Sequence, residues 1–374
     1  MRKSFAAANV DGEKRLRCAM FPYPRTNSVW MQQGNRFLIG VADLLEARGC
    51  DCLPTPSRPS WFWLQKRRRR IDIIHLNWPE QFYRLRGRPI PGLDLFWVSL
   101  FVAMTRLSKV PYVWQIHDLY PHGTNPHNAF FTEHWARRLL FQKAKAVFVH
   151  GHAAAKLVTE EFGTHHHMIV APLGDFGFWY PKTISDQEAR DRLGLKEGEF
   201  VYLVFGSHRR NRNAAKAIRA FKALDPPNGR LVVAGGAARG VWGQIKEAAG
   251  DDPRIILHPG LVPTEDLQIY FKACDILVMP GEWYLTSAVV LLALPFGRPA
   301  IVPSWGGSAE IIGEAGFVYE QENLETLISA MRQALQSDIH ILYERARQRA
   351  QDLSWQDHVD KLLEGYAEIL NSKP

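Results

Sequence analysis

Short apolar runs alternate with longer stretches of helical spacing over most of the chain. Residues 15–21 make the first run, and a turn-rich Pro22-Tyr23-Pro24-Arg25-Thr26-Asn27 follows it. Helical spacing over 30–48 then stops at Gly49. The runs 71–76, 112–116 and 146–150 read as buried strands, with helical patterns over 133–144 and 153–162 between them. A break at 172–182 carries Pro172, Gly174, Gly177 and Pro181. Alternation then restarts, with strands expected at 200–205, 230–234, 254–258, 275–279 and 299–303. Helices are expected at 213–223, 265–273 and 287–296, and amphipathic helix from 324 onward. This order predicts an α/β protein with parallel sheets covered by helices on both faces. Two doubly wound domains are expected, at 1–175 and 176–355, with a last helix at 356–374 packing back towards the first. Ligands of open α/β sheets sit at the carboxyl ends of the strands, so the site is expected in the cleft where the two domains face each other. The most apolar stretch, 93–107, is too short to span a bilayer and reads as a buried helix.

Composition narrows this only a little. A length of 374 residues suits two cores. With 46 % hydrophobic and 22 % charged residues the chain is not mainly disordered. Lys plus Arg number 46 against 38 Asp plus Glu, which favours phosphorylated ligands, polyanions or anionic membranes as partners. Cys18, Cys50, Cys52 and Cys274 have no C-x-x-C spacing and do not cluster with histidines, so buried reduced thiols are expected rather than a zinc site. Residues 1–13 are polar and charged, unlike a signal peptide, which puts the expected location in the cytoplasm.

Three loops of the second half suit phosphate. In Phe205-Gly206-Ser207-His208-Arg209-Arg210-Asn211-Arg212-Asn213, Gly206 allows close backbone approach, and Arg209 and Arg212 can fork onto phosphate oxygens. A solvated basic loop is the alternative. In Gly281-Glu282-Trp283-Tyr284-Leu285-Thr286-Ser287, Thr286 and Ser287 fit a helix N-terminus, whose unpaired N–H groups suit an anion. Ser287 as an ordinary N-cap fits equally. The third loop is Trp305-Gly306-Gly307-Ser308-Ala309-Glu310.

As a set, these loops resemble the donor domain of family-4-like GT-B glycosyltransferases, whose fold pairs two Rossmann-like domains. The family pattern is a glycine-led loop with Arg and Lys three apart, then Glu-x7-Glu, G-x-P and G-G-x-x-E. Arg209 and Arg212 take the Arg and Lys positions, and Gly297-Arg298-Pro299 and 306–310 match the later parts. The resemblance covers most of 200–315. It implies a nucleotide-sugar donor held by Gly206, Arg209, Arg212, Glu282, Thr286, Ser287 and Glu310. Alignment on Gly297 puts Tyr284 and Leu292 where the two glutamates would stand. Their absence weakens a retaining mechanism, and the Thr286-Ser287 variant resembles the inverting β-mannosyltransferases of exopolysaccharide assembly. That likeness implies GDP-mannose as donor. A retaining transferase using UDP-glucose or a UDP-uronic acid, with Glu282 for the missing glutamate, is one rival. A catalytically silent glycan- or nucleotide-sugar-binding subunit is another, and a nucleotide-sugar epimerase a third. No Asp-x-Asp occurs, so a metal bridge to the diphosphate has no obvious ligands, and no metal or other cofactor is expected.

In the first half, Ile74-His75-Leu76-Asn77-Trp78-Pro79-Glu80 and Gln115-Ile116-His117-Asp118 each follow an expected strand. Inverting transfer needs a base for the acceptor hydroxyl. Asp118 is the favoured base and His117 a sugar or phosphate contact, with Glu80 the rival base. The run His165-His166-His167 is expected to be a loop rather than a metal site. The segment 61–70, opening on Trp61 and closing on Arg70, joins aromatics to five consecutive bases. An anionic membrane surface is its expected partner, consistent with a saccharide or lipid-linked saccharide acceptor at the inner face of the plasma membrane. No recognised nucleic-acid module accompanies it. A solvated helix face is the alternative.

Overall fold

The computed structural model describes residues 15–25, 36–84, 90–121 and 131–372. Thr26 and Asn27 of the expected turn, positions 30–35 of the expected helix, and residues 1–13 lie outside them. The chain divides into two compact units. One comprises residues 1–172 together with 355–374, the other residues 173–354.

The first unit is built on a parallel six-stranded sheet: β1 (Leu16–Phe21), β2 (Cys50–Pro54), β3 (Ile73–Leu76), β4 (Tyr112–Gln115), β5 (Ala146–Val149) and β6 (Met168–Val170). Its order is β2-β1-β3-β4-β5-β6. The central strands β3, β4 and β5 are buried throughout, which is why they appear in the sequence as mostly apolar runs, broken only by His75 and Gln115. From β2 onward every crossover steps the same way across the sheet. Right-handed connections therefore lay the helices Trp61–Arg67, Leu93–Ser108, Phe131–Lys143 and His152–Phe162 on one face. The β1–β2 crossover steps the other way, so Arg36–Ala47 covers the opposite face.

The last helix, Trp355–Asn371, lies beside Arg36–Ala47 on that face, and its Tyr366 hydroxyl is hydrogen-bonded to His75 Nδ1. Gly365 permits the close approach: a Cβ there would stand 2.5 Å from Ile169 Cδ1 and 2.8 Å from Phe148 Cζ.

Helix Leu93–Ser108 corrects the expectation of a buried helix. One face is buried through Val98, Phe101, Val102 and Thr105, but Phe96, Leu100 and Leu107 are exposed along the other. Among the described residues no helix is long and apolar enough to cross a membrane.

The second unit carries β7 (Phe200–Phe205), β8 (Gly229–Gly235), β9 (Ile255–Pro259), β10 (Ile276–Val278), β11 (Ala300–Pro303) and β12 (Gly316–Tyr319). All are parallel, in the order β12-β11-β10-β7-β8-β9. Numbered from its own first strand this is the 3-2-1-4-5-6 arrangement of dinucleotide-binding sheets, and its order reverses between β7 and β10. Tyr202, Phe221, Leu231, Ile276, Ile301 and Leu327 fill the core.

The helix expected over 287–296 is α-helical only at Ala288–Ala293 and tightens to a 3-10 turn at Leu294–Phe296. Pro295 is the reason, since it brings no N–H to the carbonyl of Leu291. That carbonyl accepts from Phe176 N–H instead, at 3.2 Å. All four cysteines are buried free thiols.

Candidate active site

At the switch point of the second unit, the loops after β7 and β10 run into connections that leave in opposite directions. Ligands of such sheets enter there. Gly206 (φ +114°) and Gly235 (φ +132°) end β7 and β8 side by side, and a Cβ on Gly235 would stand 2.0 Å from the Gly206 carbonyl oxygen. A Cβ on Gly206 would meet Arg212 Nη1 at 3.2 Å, so the bare glycine is what lets that guanidinium close over the backbone.

The two loops are tied together by Glu282. Its N–H donates to the Asn211 carbonyl at 2.7 Å, and its Oε1 accepts from Asn213 Nδ2 at 3.2 Å. Arg212 lies over the Tyr284 ring, 5.1 Å from the centroid. The Gly-Gly loop receives the same stretch from below. A Cβ on Gly306 (φ +88°) would stand 1.9 Å from the Tyr284 carbonyl oxygen, and Gly307 N–H donates to Leu285 O at 2.8 Å. Tyr284 and Leu292, the positions of the absent glutamates, are both buried.

A cavity between these loops is lined by Phe205, His208, Arg212, Gly281, Tyr284 and Val289. Buried polar atoms on the loops that have no hydrogen-bond partner among the described residues include His208 Nδ1, Asn211 Oδ1, Arg212 Nε and Thr286 Oγ1. Buried polar atoms are rarely left so. Burial pushes His208 down to about 4, and its Nε2–H donates to Ala234 O at 3.1 Å, so Nδ1 is an acceptor. His208 is a site residue that the sequence does not reveal, because a lone histidine in such a loop carries no signal.

Ser287 precedes the Ala288–Ala293 helix, yet its side chain makes no capping hydrogen bond, which removes the ordinary N-cap reading. Arg209 is half-buried at the start of the 3-10 turn Arg210–Arg212. Glu310 lies in the first turn of Ser308–Ile312, its carbonyl oxygen held by Arg349 Nη2 at 3.1 Å.

In the first unit the neighbouring strands β3, β4 and β5 deliver Asn77, His117-Asp118 and His150 from their carboxyl ends. His117 Nε2 lies 3.0 Å from the Asn77 carboxamide and His117 Nδ1 lies 3.0 Å from His150 Nε2. Its ring stacks on Trp78 at 4.3 Å and meets the edge of Phe37. Burial holds His150 down at about 3 and His358 at about 4, so both are neutral at physiological pH. His358 Nδ1–H donates to the Ala171 and Pro172 carbonyls, and its Nε2 accepts from Gln115 Nε2 at 3.2 Å.

Asp118 is half-buried, and its carbonyl oxygen accepts from Arg137 Nη2 at 2.8 Å. Glu80 opens the short helix Glu80–Tyr83 and pairs with Arg137 Nη1 at 3.5 Å. Arg137 itself is buried over the Trp114 ring. Two of the three expected groups therefore share one cation. His150, Asn77 and Arg137 were missed as site residues, since only the parallel order of β3, β4 and β5 brings them together.

The histidine run faces no common point. His165 Nε2–H donates to Ala144 O while its Nδ1 accepts from His167 N–H, and His167 Nε2 turns to Glu368 at 2.7 Å. Among the described residues no group of three or more His, Cys, Asp and Glu is placed to hold a metal ion.

Residues 185–353 match the family described as "Glycosyl transferases group 1". Over 290 residues the chain is 24 % identical to a GDP-mannose:glycolipid 4-beta-D-mannosyltransferase of Xanthomonas campestris pv. campestris, covering 75 % of this chain and 76 % of that one. Among solved structures it is similar to sucrose-phosphate synthase from Thermosynechococcus elongatus, with TM-score 0.72 at 16 % identity over 96 % of this chain and 100 % of the other. It is also similar to Anabaena Alr3699/HepE in complex with UDP, with TM-score 0.70 at 15 % identity and the same coverage. Two parallel six-stranded sheets with surrounding helices, and a matched segment that fills nearly all of the second unit, lead to one conclusion: the chain has the GT-B fold and carries a glycosyltransferase domain of group 1.

Proposed function

We propose that the protein transfers a glycosyl group from a nucleotide sugar, with GDP-mannose the favoured donor, to a saccharide or lipid-linked saccharide acceptor in polysaccharide assembly. The setting is the cytoplasmic face of a membrane, and the transfer inverts the anomeric centre without a metal.

One observation carries this reading: the Glu282-tied loops hold Arg212 Nε and Thr286 Oγ1 buried and without partners among the described residues, beside a glycine that admits a ligand to the backbone. A diphosphate supplies the acceptor oxygens such donors need, and Arg209 and Arg212 supply its countercharge. Arg212 is already held over Tyr284, so little ordering is needed on binding. Thr286 and Ser287 add the first N–H groups of the following helix. The relative from Xanthomonas, whose name specifies GDP-mannose and a glycolipid, supports the donor and the acceptor class.

In the transfer, an acceptor hydroxyl oxygen attacks the anomeric carbon as the carbon–phosphate-oxygen bond breaks. The nucleoside diphosphate leaves with the bonding pair, and a base takes the hydroxyl proton. Asp118, beside His117 at the carboxyl end of β4, is the favoured base, and Glu80, which pairs with a buried guanidinium, is its rival. His117 then contacts sugar or phosphate. The retaining alternative with a UDP-sugar finds support in the UDP-bound neighbour, but it would require Glu282 to leave its hydrogen bond to Asn213.

Binding and hydrolysis of GDP- and UDP-sugars, measured with EDTA present, test the proposal. One nucleotide sugar should bind in wild type and lose affinity at least about tenfold in Arg212→Ala. Binding that ignores Arg212, or an absolute need for a divalent ion, would overturn the phosphate-loop reading. Binding without turnover on any acceptor would favour the silent subunit.

A further inference from the structure

The helical layer on one face of the first unit has a surface unlike the rest of the molecule. Of the six exposed aromatic side chains among the described residues, five lie on this layer: Trp61, Phe62, Phe96, Phe131 and Trp135. Phe62 is 83 % exposed and Phe131 75 %. Helix Leu93–Ser108 adds Leu100 and Leu107, so Phe96, Leu100, Ala103 and Leu107 form a stripe at helical spacing that no element among the described residues covers.

Exposed charge on the first three helices of this layer and their flanks is of one sign, whereas the fourth, His152–Phe162, carries both Lys156 and Glu160. Over 58–70, 93–109 and 131–143 the exposed ionic side chains are Arg58, the five bases 66–70, Arg106, Lys109 and Lys143. The only acids in those stretches are Asp94 and Glu133, both buried. Asp94 accepts from Leu95 N–H and Thr132, and Glu133 is clamped by Arg84. These three stretches carry nine exposed bases and no exposed acid, in a chain whose net charge is +8. Cations lie over rings of the same layer: Arg58, ahead of the first helix, over Trp97 of the second at 5.7 Å, and, within single helices, Arg67 over Trp63 and Arg138 over Trp135.

We infer that this layer is a docking face for an anionic lipid bilayer, with the rings of Trp61, Phe62, Phe96 and Phe131 entering the headgroup region and the bases meeting lipid phosphates. The inference goes beyond the transfer reading and does not depend on it. Aromatic and aliphatic side chains standing among cations match an interface that is apolar at depth and anionic at its surface. A nucleic acid would meet the bases and could stack on the rings, but it would leave Leu100 and Leu107 in water. A solvated helix face gains nothing from a side chain as exposed as Phe62.

The test is sedimentation of the full chain with vesicles of phosphatidylcholine alone and of phosphatidylcholine with phosphatidylglycerol. Binding is expected only with phosphatidylglycerol, and to fall with added salt. Replacing the five bases 66–70 by Gln should weaken it more than about tenfold. The double variant Phe62→Ser with Leu107→Ser should weaken it several-fold, while Arg219→Gln with Arg332→Gln in the second unit should not. Far-UV circular dichroism checks that each variant is folded. No binding to phosphatidylglycerol vesicles would overturn the inference, as would equal binding by all variants. So would tighter binding of a single-stranded oligonucleotide, lost in the charge variant and kept in the apolar one, which would make the face a nucleic-acid surface.

Discussion

Nε2 of His150 lies 3.0 Å from Nδ1 of His117, and the proton between them belongs to His117. His150 is buried and neutral, and its Nδ1 faces the Ala171 carbonyl oxygen at 3.3 Å, which can only accept. Nδ1 of His150 is therefore the protonated nitrogen and Nε2 the acceptor. The other ring nitrogen of His117, Nε2, faces Asn77 Oδ1 at 3.0 Å, and an amide oxygen can only accept. Nitrogen-15 spectra of the histidines at neutral pH should show a protonated Nδ1 for His117 and an unprotonated Nε2 for His150. In His150→Leu, which removes the acceptor, this preference should fade.

Acid should loosen the first unit first. Burial lowers His75 and His150 to about 3 and His358 to about 4. In the unfolded chain each titrates near 6.5, so between about 4 and 6.5 the unfolded state binds protons that the folded state does not. Stability conferred by these groups is therefore full above about 6.5 and falls as pH drops. Each should cost about 1 kcal/mol between pH 7 and 5.5. Urea melts at the two pH values, read by tryptophan fluorescence, check the sum. An unchanged midpoint would contradict the neutral burial of these rings.

The two candidate carboxylates should fail in different ways. Asp118→Asn is expected to lower turnover at least about 100-fold with donor binding intact. Glu80→Gln leaves the Arg137 guanidinium without its ion-pair partner, so it should lower the melting temperature, with a loss of about 1–3 kcal/mol. Comparable turnover loss in Glu80→Gln, without a change in melting, would transfer the base assignment to Glu80.

Glu282→Gln separates the stereochemical alternatives. As a tie between loops, Gln keeps a carbonyl oxygen for Asn213 Nδ2, and activity should fall less than about tenfold. A loss above about 1,000-fold, with the donor's anomeric configuration retained in the product by proton NMR, would establish the retaining alternative.

Gly306→Ala should misfold the Gly-Gly loop. The methyl group would stand 1.9 Å from the Tyr284 carbonyl oxygen at a φ of +88°, so the chain must move there. A stability loss of about 2 kcal/mol or more is expected, together with weaker donor binding, because Tyr284 supports Arg212.

Much of this architecture was legible in the sequence, because the buried central strands are mostly apolar runs and the chain alternates regularly. What escaped follows from position in the sheet. β2 (CDCLP) and β12 (GFVY) lie at sheet edges, where one side faces water and the apolar signal is diluted. The helix at 93–108 looked buried because composition does not say which neighbours cover each face. In the second unit Gly206, Arg212, Thr286 and the Gly-Gly loop were visible as motifs along the chain, and folding places them together. Glu282 as a tie and His150 as an acceptor could not be read, since each acts through a contact between loops distant in sequence.

The closing position of helix Trp355–Asn371 bears on how the chain is made. His75, Gln115 and Phe37, all in the first third of the sequence, wait for Tyr366, His358 and Trp355 from its last twenty residues. On the ribosome the second unit can therefore complete its core while the first is still missing a helix. Synthesis that stops at Ser354 yields a first unit with those three positions unfilled, and any extension fused after Asn371 begins at the edge of its core.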